Sequence, residues 1–253
     1  MPDSICAAII GKGRVATTLG RAWESSGLSI GAFCNRSHEI PDGFTTLDAL
    51  CVEDCSQLPS DINVAMIAVS DDAVPAIIDQ LPSGIFSIHF SGSLPNPANG
   101  AVIWPVQSVQ AHTPEAVHSM PLVVTAHNAL ALEHAQQLAS RISSSVIPLE
   151  ESNRQRAHLA AVFGSNFSNH LFGLAQELCE EAQIPWELLQ PLVSMTAQRA
   201  LAGNSAKNQT GPAIRKDQKV IDAHLETLKN RPDLAELYRM LTESIQTNHP
   251  HTD

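Results

Sequence analysis

Short apolar runs alternate with amphipathic stretches over the first 150 residues of the chain. Residues 5–10, 28–34 and 62–69 are almost continuously apolar, and helical periodicity follows the first and third of these runs. A short run that is apolar throughout is typical of a strand buried on both faces, as in a parallel sheet. Weaker signals predict strands at 85–90, 101–104, 122–125 and 145–149, and helices at 15–23, 73–81 and 129–142. This alternation predicts an α/β fold with a doubly wound, mostly parallel sheet.

The pattern changes near Glu150, after which helical periodicity continues and no convincing strand is found. Residues 152–181 predict one helix about 45 Å long, at 1.5 Å per residue. Further helices are predicted at 219–230 and 232–246. We therefore expect two domains, one of residues 1–150 that contains the sheet and one of residues 151–253 that is all helical.

Charge and composition argue against several classes of function. The chain has 15 basic and 26 acidic residues, a net charge of −11, which argues against binding to nucleic acid or to an anionic membrane. No apolar run approaches the roughly 18 residues that span a bilayer. Five cysteines without a regular framework fit a reducing cytoplasm. Four histidines share no ligand spacing with carboxylates: His112, His118, His127 and His134. We expect a cytoplasmic protein without a metal site.

The first predicted strand leads directly into a glycine-rich segment, Gly11-Lys12-Gly13-Arg14-Val15-Ala16, which matches the pattern G-x-G-x-x-G/A. The first glycine permits a tight turn, the second lets the backbone approach a pyrophosphate, and the small Ala16 permits close packing of helix and strand. The helix N-terminus then offers free N–H groups to phosphates. The segment predicts the dinucleotide-binding turn of a Rossmann domain, with a simple strand-to-helix turn as the alternative.

The second predicted strand ends at Cys34 and is followed by Asn35-Arg36-Ser37. A site that prefers NAD places an acidic residue at this strand end to bind the ribose 2′-hydroxyl, and no carboxylate is present at this tip. The guanidinium of Arg36 can pair with a 2′-phosphate and stack on adenine, and Asn35 and Ser37 can add hydrogen bonds. The tip favours NADP over NAD, with a solvated loop arginine as the alternative interpretation.

Further segments carry a resemblance to a known family: AVSDDA at 68–73, HFSGS at 89–93, WPVQS at 104–108, HLAAV at 158–162, NFSNH at 166–170 and QTGPAIRKD at 209–217. Together with the glycine segment and the Asn35–Ser37 tip, they make the chain resemble a family of Rossmann-type oxidoreductases. The C-terminal domain of that family is named only as a domain of unknown function. Its relatives include the 6-phosphogluconate-dehydrogenase-like and pyrroline-5-carboxylate-reductase-like enzymes.

The resemblance implies roles for both predicted domains. Residues 1–150 would bind NADP, and residues 151–253 would bind the substrate and build a homodimer, for which the helices within 219–246 are the expected interface. It also implies that Val69, Ser70 and Asp71 line the nicotinamide side of the cofactor. Ser91 and Gly92, at the carboxyl end of a strand, would face the reaction centre, in line with the general position of ligands in open parallel sheets.

A polar stripe lies on the predicted helix at 152–181. At about 100° per residue, five polar side chains fall within roughly 140° of one another: His158, Ser165, Asn166, Asn169 and His170. Buried Asn and His side chains need hydrogen-bond partners, so such a stripe faces either a substrate or water. We expect the first, with Asn169 among the substrate-binding residues.

The same helix suggests a proton donor. Related hydroxyacid dehydrogenases carry a lysine four residues before a catalytic asparagine, and if Asn166 is that asparagine, Val162 takes the place of the lysine. His158 is then the candidate donor, because histidine titrates near neutral pH. Asn166 would orient the reacting group of the substrate. A structural histidine is the alternative for His158.

Thr210-Gly211-Pro212 is followed by Arg215 and Asp217. An arginine after a tight turn can clamp a substrate carboxylate through two parallel hydrogen bonds, and Asp217 would hold it in place. The alternative is a helix N-terminus with a solvent-facing ion pair of little energetic weight. We count Thr210 and Arg215 among the candidate substrate-binding residues.

These observations predict an NADP(H)-dependent oxidoreductase. It would transfer a hydride to or from a small carbonyl or imine substrate that carries a carboxylate. The alternative is a non-catalytic NADP-binding sensor or scaffold, which the missing lysine favours. Such a protein would keep the cofactor residues and tolerate the loss of His158 and Asn166.

Overall fold

The computed structural model describes residues 5–46, 48–109, 117–203 and 205–248 of the 253-residue chain. The chain divides into two compact units, Met1–His170 and Leu171–Asp253. All strands of the described residues belong to the first unit.

The first unit is built on one eight-stranded sheet with the order β3-β2-β1-β4-β5-β6-β7-β8. Every neighbouring pair is parallel except β6 and β7, which are antiparallel. The strands are β1 Cys6–Ile10, β2 Ser29–Cys34, β3 Leu50–Val52, β4 Val64–Ile67, β5 Phe86–His89, β6 Gly100–Pro105, β7 Leu122–Ala126 and β8 Val146–Pro148. The predicted doubly wound, mostly parallel α/β fold is confirmed.

Both faces of the sheet are covered, as the continuous apolar runs predicted. In β1, Ala7 and Ile9 pack into one apolar cluster and Ala8 and Ile10 into another, because successive side chains of a strand point to opposite faces. The first cluster includes residues of helices α1, Arg14–Ser25, and α3, Ala129–Ser140. The second includes Val74 of helix α2, Val74–Gln80.

A third, smaller cluster forms at the antiparallel pair. Val102 and Trp104 of β6 and Val123 of β7 are buried there, and Ala157 and Ala161 pack against them. Both alanines lie on helix α4, Glu151–Ala161. This helix is therefore attached to the sheet beside the ends of β5 and β6, which decides where its polar side chains lie.

The long predicted helix at 152–181 is helical throughout, but it is not a uniform α-helix. A π-helical segment, Val162–Phe167, separates α4 from helix α5, Ser168–Glu181. In a π-helix the hydrogen bonds run from i to i+5, so the segment changes the angular phase of every residue that follows. The even 100° spacing assumed for the polar stripe was therefore wrong beyond Ala161.

Two further features of the sheet differ from the sequence-based expectation. Strand β3 was not predicted, because its three residues are too few to show a period. Strand β7 was predicted, but its reversed direction was not, because the apolar pattern of a strand is the same in both directions.

The described helices of the second unit include α6, Gln190–Leu201, α7, Gln218–Thr227, and α8, Pro232–Asn248. Leu228, Leu234 and Ala235 form its small buried cluster. Arg231 pairs with Glu177 and Glu181. Within the described residues of this unit only helices and connecting segments occur, so the predicted helical C-terminal region is confirmed.

A helix with the length and apolar character needed to cross a membrane does not occur in the part of the chain described here.

Two glycines with positive φ provide a test of the turn after β1. A Cβ atom at Gly11, with φ of 105°, would lie 2.3 Å from the carbonyl oxygen of Ala68, whereas at Gly27, with φ of 82°, it would meet nothing within 4 Å. Replacing Gly27 by Ala should cost about 1–2 kcal/mol, for the left-handed backbone alone. Gly11→Ala should lower the free energy of unfolding considerably more, because a backbone oxygen cannot move aside. Urea unfolding of both variants measures the difference, and equal losses would contradict this account of the turn.

Candidate active site

A cleft of about 770 Å³ lies at the carboxyl ends of β1, β4 and β5, where the strand order changes direction. This volume is in the range typical of small-molecule and cofactor sites, and the position is the usual one in doubly wound sheets. Its walls come from the segments that follow those strands, from the end of β6, and from α4. The lining residues used below are Gly11 to Val15, Val69 to Asp71, Ser91, Gly92, Trp104 and His158.

The glycine turn forms one end of the cleft. Gly13 is the N-cap of α1, and its position has open space where a side chain would be. The first turn of α1 contains no acidic residue, and no side chain caps it. Its N–H groups are therefore available to an anion. Lys12 and Arg14 are exposed beside it, while Ala16 is buried behind the turn.

The tip of β2 lies next to this turn, because the N–H of Gly11 donates to the carbonyl of Cys34 at 2.9 Å. The side chain of Asn35 is buried and holds the tip together. Its Oδ1 accepts from the N–H and the hydroxyl of Ser37, and its Nδ2 donates to the carbonyl of Glu39. Arg36 is exposed and takes part in none of the ion pairs among the described residues. Of the three tip residues, Arg36 has the side chain that is free to meet a ligand.

The segments after β4 and β5 are joined by a hydroxyl–carboxylate network. The Ser91 hydroxyl donates to Asp71 Oδ2 at 2.7 Å, and the Ser93 hydroxyl donates to the same oxygen at 3.0 Å. The Ser91 oxygen also accepts the backbone N–H groups of Ser93 and Leu94, both at 3.2 Å. Val69, Ser70 and Asp71 line the same cleft as Ser91 and Gly92. That these residues face the nicotinamide and the reaction centre, as the family resemblance implies, stays a prediction.

His89 supports this loop from below and does not line the cleft. It is 1% exposed, its Nδ1 lies 3.3 Å from the N–H of Ser91, and its Nε2 lies 3.0 Å from the carbonyl of Pro95. These partners require Nδ1 to accept and Nε2 to donate, which is the pattern of a neutral ring. Burial lowers the pKa of His89, which favours the same neutral form.

The loop of residues 91–94 is anchored from the other side by Arg154 of α4, which is 0% exposed. Its guanidinium donates to the carbonyls of Ser91 at 3.0 Å and Gly92 at 2.7 Å, and to the carbonyl of Leu94. Its Nε donates to the Thr125 hydroxyl at 3.0 Å. Burial lowers the pKa of Arg154, and the nearby Glu151 carboxylate opposes this shift. Sequence analysis missed this residue, because nothing in a helical arginine shows that it will be buried.

His158 follows Arg154 by one helical turn and packs over the same loop. A Cβ atom at Gly92 would lie 2.4 Å from His158 Nδ1 and 2.9 Å from Trp104, so only glycine fits at this position. The His158 and Trp104 rings meet edge to face, with 5.4 Å between centroids. His158 Nδ1 is buried and has no hydrogen-bond partner among the described residues. The other ring nitrogen, Nε2, is therefore the one left to meet a ligand.

A second cavity of about 370 Å³ adjoins the cleft and shares Trp104 and His158 with it. Val162, Ser165 and Asn166 also line this cavity, so the structure brings the two candidate catalytic residues, His158 and Asn166, to one space. The π-helical segment contributes all three of these residues. Among the described residues, no group of His, Cys, Asp and Glu side chains is arranged to hold a metal ion.

The remaining candidate substrate-binding residues are Asn169, Thr210 and Arg215. Asn169 is exposed near the start of α5. Thr210 and Arg215 belong to the second compact unit, and both are exposed. The carboxylate of Asp217 caps α7 by accepting the N–H of Val220, and it forms no ion pair with Arg215 in the described structure. The predicted support of Arg215 by Asp217 was therefore wrong, since the helix cap uses that carboxylate.

Residues 120–245 match the model of a family described as a domain of unknown function, DUF2520. The chain carries a DUF2520 domain. This domain begins just before β7 and includes Arg154, His158, Asn166 and Arg215. The resemblance that the sequence motifs carried, to Rossmann-type proteins with such a C-terminal domain, is confirmed. No curated protein has a matching sequence.

Several solved structures share the fold of this chain. A candidate NADP oxidoreductase from Bacteroides fragilis is 26% identical, with a TM-score of 0.80 over 96% of this chain and 98% of its own. An imine reductase from Myxococcus stipitatus, solved with NADP⁺, is 16% identical, with a TM-score of 0.67 over 97% and 95% of the two chains. A reductive aminase from Aspergillus terreus, solved with NADPH and ethyl levulinate, is 12% identical, with a TM-score of 0.67 over 99% and 96%.

Proposed function

We propose that this protein is an NADP(H)-dependent oxidoreductase that transfers a hydride to or from a small carbonyl or imine substrate. The observation that carries the proposal is the continuous wall of one cleft. It leads from the free N–H groups of α1, past Ser91 and Gly92, to His158 and the second cavity. A nucleotide would lie along this wall, with its reactive end beside the candidate proton donor.

The residues at the glycine turn suit a dinucleotide phosphate. Gly13 leaves room for close approach, and Lys12 and Arg14 place two cations at a helix N-terminus that contains no carboxylate. A cation in the first turn of a helix is unfavourable beside the helix dipole unless an anion is also present. Arg36, exposed at the neighbouring strand tip, would bind the 2′-phosphate of NADP.

The candidate chemistry lies in the shared part of the two cavities. When bound, NADPH supplies the hydride, and the protein must supply a proton and orientation. His158 Nε2 would donate the proton to the oxygen or nitrogen of the substrate, because Nδ1 is buried against Gly92. Asn166 would orient the reacting group by a hydrogen bond from the second cavity.

The relatives favour this class of reaction. The Bacteroides fragilis protein is described as a candidate NADP oxidoreductase. The two more distant structures are those of an imine reductase and a reductive aminase. A carboxylate on the substrate is a further part of the proposal. Near Arg154 and His158 the cleft has no exposed cation that could pair with a substrate carboxylate. The candidate residues for binding that carboxylate therefore remain Thr210, Arg215 and Asn169.

We also propose that the protein is a homodimer. The described residues leave many large apolar side chains exposed between 159 and 201, including Leu159, Phe163, Phe167, Leu192 and Leu201. Apolar surface of this extent is typical of an interface. The helices within 219–246, on which Met240 and Leu241 are also exposed, remain the proposed interface. Light scattering on the purified protein should give about twice the 27.2 kDa of one chain, and a mass of one chain would refute the dimer.

The cofactor proposal predicts that Arg36→Ala selectively weakens the binding of NADPH. A lost charge-assisted contact to the 2′-phosphate should reduce the affinity about tenfold or more, while the affinity for NADH should hardly change. Titration of nicotinamide fluorescence measures both. Arg156→Ala, which removes an exposed arginine on α4, is the matched control. Equal losses for the two cofactors would show that Arg36 does not bind the 2′-phosphate, and no binding of either cofactor would refute the function.

The catalytic proposal predicts that His158→Gln separates turnover from cofactor binding. The loss of a general acid should lower kcat by about a hundredfold or more, with the affinity for NADPH retained. The assay is NADPH oxidation with a panel of ketones, 2-keto acids and cyclic imines. His118→Gln, which changes an exposed histidine that lines neither cavity, should remain active. If the unchanged protein binds NADPH but turns over no compound of the panel, a non-catalytic sensor becomes the better interpretation.

A further inference from the structure

We propose that Arg154 is a positioning residue that turns the N–H group of Gly92 into the cleft as a hydrogen-bond donor for an oxygen atom of a bound ligand. The proposal rests on the proposed function for the nature of that ligand, which is either NADPH or the carbonyl compound with which it reacts. Beyond the proposed function, Arg154 is assigned as the residue that orients the loop and the Gly92 N–H as the group that contacts the ligand.

The burial of Arg154 is the first observation. A guanidinium that is 0% exposed carries a large desolvation cost, and none of the ion pairs in the described structure contains Arg154. Four of its hydrogen bonds go to neutral oxygens, three of which belong to backbone carbonyls of one loop. An apolar side chain of similar size would fill such a space at a lower free-energy cost. Stability alone therefore does not explain why a charged side chain with several hydrogen-bond donors is buried here.

The geometry of the peptide group between Ser91 and Gly92 is the second observation. Its carbonyl accepts from Arg154 Nη1 at 3.0 Å. In a planar trans peptide the C=O and N–H bonds point in opposite directions, so the N–H of Gly92 is turned away from Arg154. A cation at the carbonyl also polarises the peptide and strengthens its N–H as a donor.

The third observation is that this N–H group has no partner in the described structure, although those of its neighbours Ser91, Ser93 and Leu94 all have one. Gly92 is buried, and it lines the cleft. Backbone N–H groups in folded proteins almost always have a hydrogen-bond partner, so one that lines a cleft without a protein partner is available to an acceptor on a ligand. Gly92 itself carries no side chain that could cover this donor.

Arg154 and His158 lie four residues apart, and hence on the same face of α4. The ring of His158 rests on the Cα of Gly92, whose carbonyl Arg154 holds at 2.7 Å. Helix α4 therefore orients the loop that carries the backbone donor, and it also places the candidate proton donor against that loop. An oxygen acceptor bound at Gly92 N–H would lie beside His158.

Nuclear magnetic resonance of the full-length protein tests the proposal directly. Serine labelled with ¹³C at the carbonyl and glycine labelled with ¹⁵N, introduced together by cell-free synthesis, select the amide signals of Ser–Gly pairs. The sequence contains three such pairs, at 26–27, 83–84 and 91–92, so Gly27 and Gly84 provide internal references outside the cleft. The variants are Arg154→Lys, which keeps the charge but loses the fork of donors, Arg154→Met, and the exposed control Arg156→Met.

We expect the Gly92 amide proton to move downfield when ligand is added to the unchanged protein and to Arg156→Met, while Gly27 and Gly84 stay in place. A shift with NADPH alone places the acceptor oxygen on the cofactor. A shift that requires a ketone added to the NADP⁺ complex places it on the substrate. In Arg154→Lys the shift should fall to less than half, and in Arg154→Met it should disappear, while the reference signals report that each variant is folded.

Two results would overturn the proposal. One is a Gly92 signal that no ligand moves in the unchanged protein, and the other is a full shift in Arg154→Lys. Fluorescence titration separates these from a failure of the proposed function. Binding of NADPH together with a Gly92 signal that neither NADPH nor a ketone added to the NADP⁺ complex moves would leave the function intact and refute the role of Arg154. No binding of NADPH would refute both.

Discussion

A guanidinium removed from water needs an acceptor for each of its donors, and Arg154 finds three of them on the backbone of one loop. Because these acceptors are carbonyls of the main chain, the loop cannot shift without leaving part of a buried charge unpaired. The same loop bonds Asp71 through Ser91 and supports His158 at Gly92. The wall of the cleft and the candidate proton donor thus depend on one side chain of α4.

The charge near the N-terminus of α1 differs in sign from the net charge of the chain. With a net charge of −11, the chain as a whole repels anions, yet the N-terminal turn of α1 combines free N–H groups with Lys12 and Arg14. Contacts within a few ångströms outweigh the average field of a protein in salt solution, since exposed charges are screened beyond about 10 Å. An acidic protein can therefore attract an anion locally, and the absence of a carboxylate from this turn favours that.

Most of the sheet could be predicted from the sequence, because its strands are short apolar runs and their helices are periodic. The glycine segment was also predictable, since its spacing relative to β1 implies a tight turn whose first residue tolerates no side chain. Other features have no local signal. The direction of β7, the three residues of β3 and the π-helical segment depend on pairing and packing with distant residues.

The sequence by itself determined the α/β pattern, the tight glycine turn after β1, and the polar residues from which a site could be made, Arg36 among them. The tertiary structure alone decided which of those residues meet. It buried Arg154 beneath a loop 60 residues earlier in the chain, used Asn35 and Asp217 for local hydrogen bonds, and brought His158 and Asn166 to one cavity. The physical reason is that burial and hydrogen-bond partners arise from contacts between segments far apart in sequence, which no local pattern of residues records.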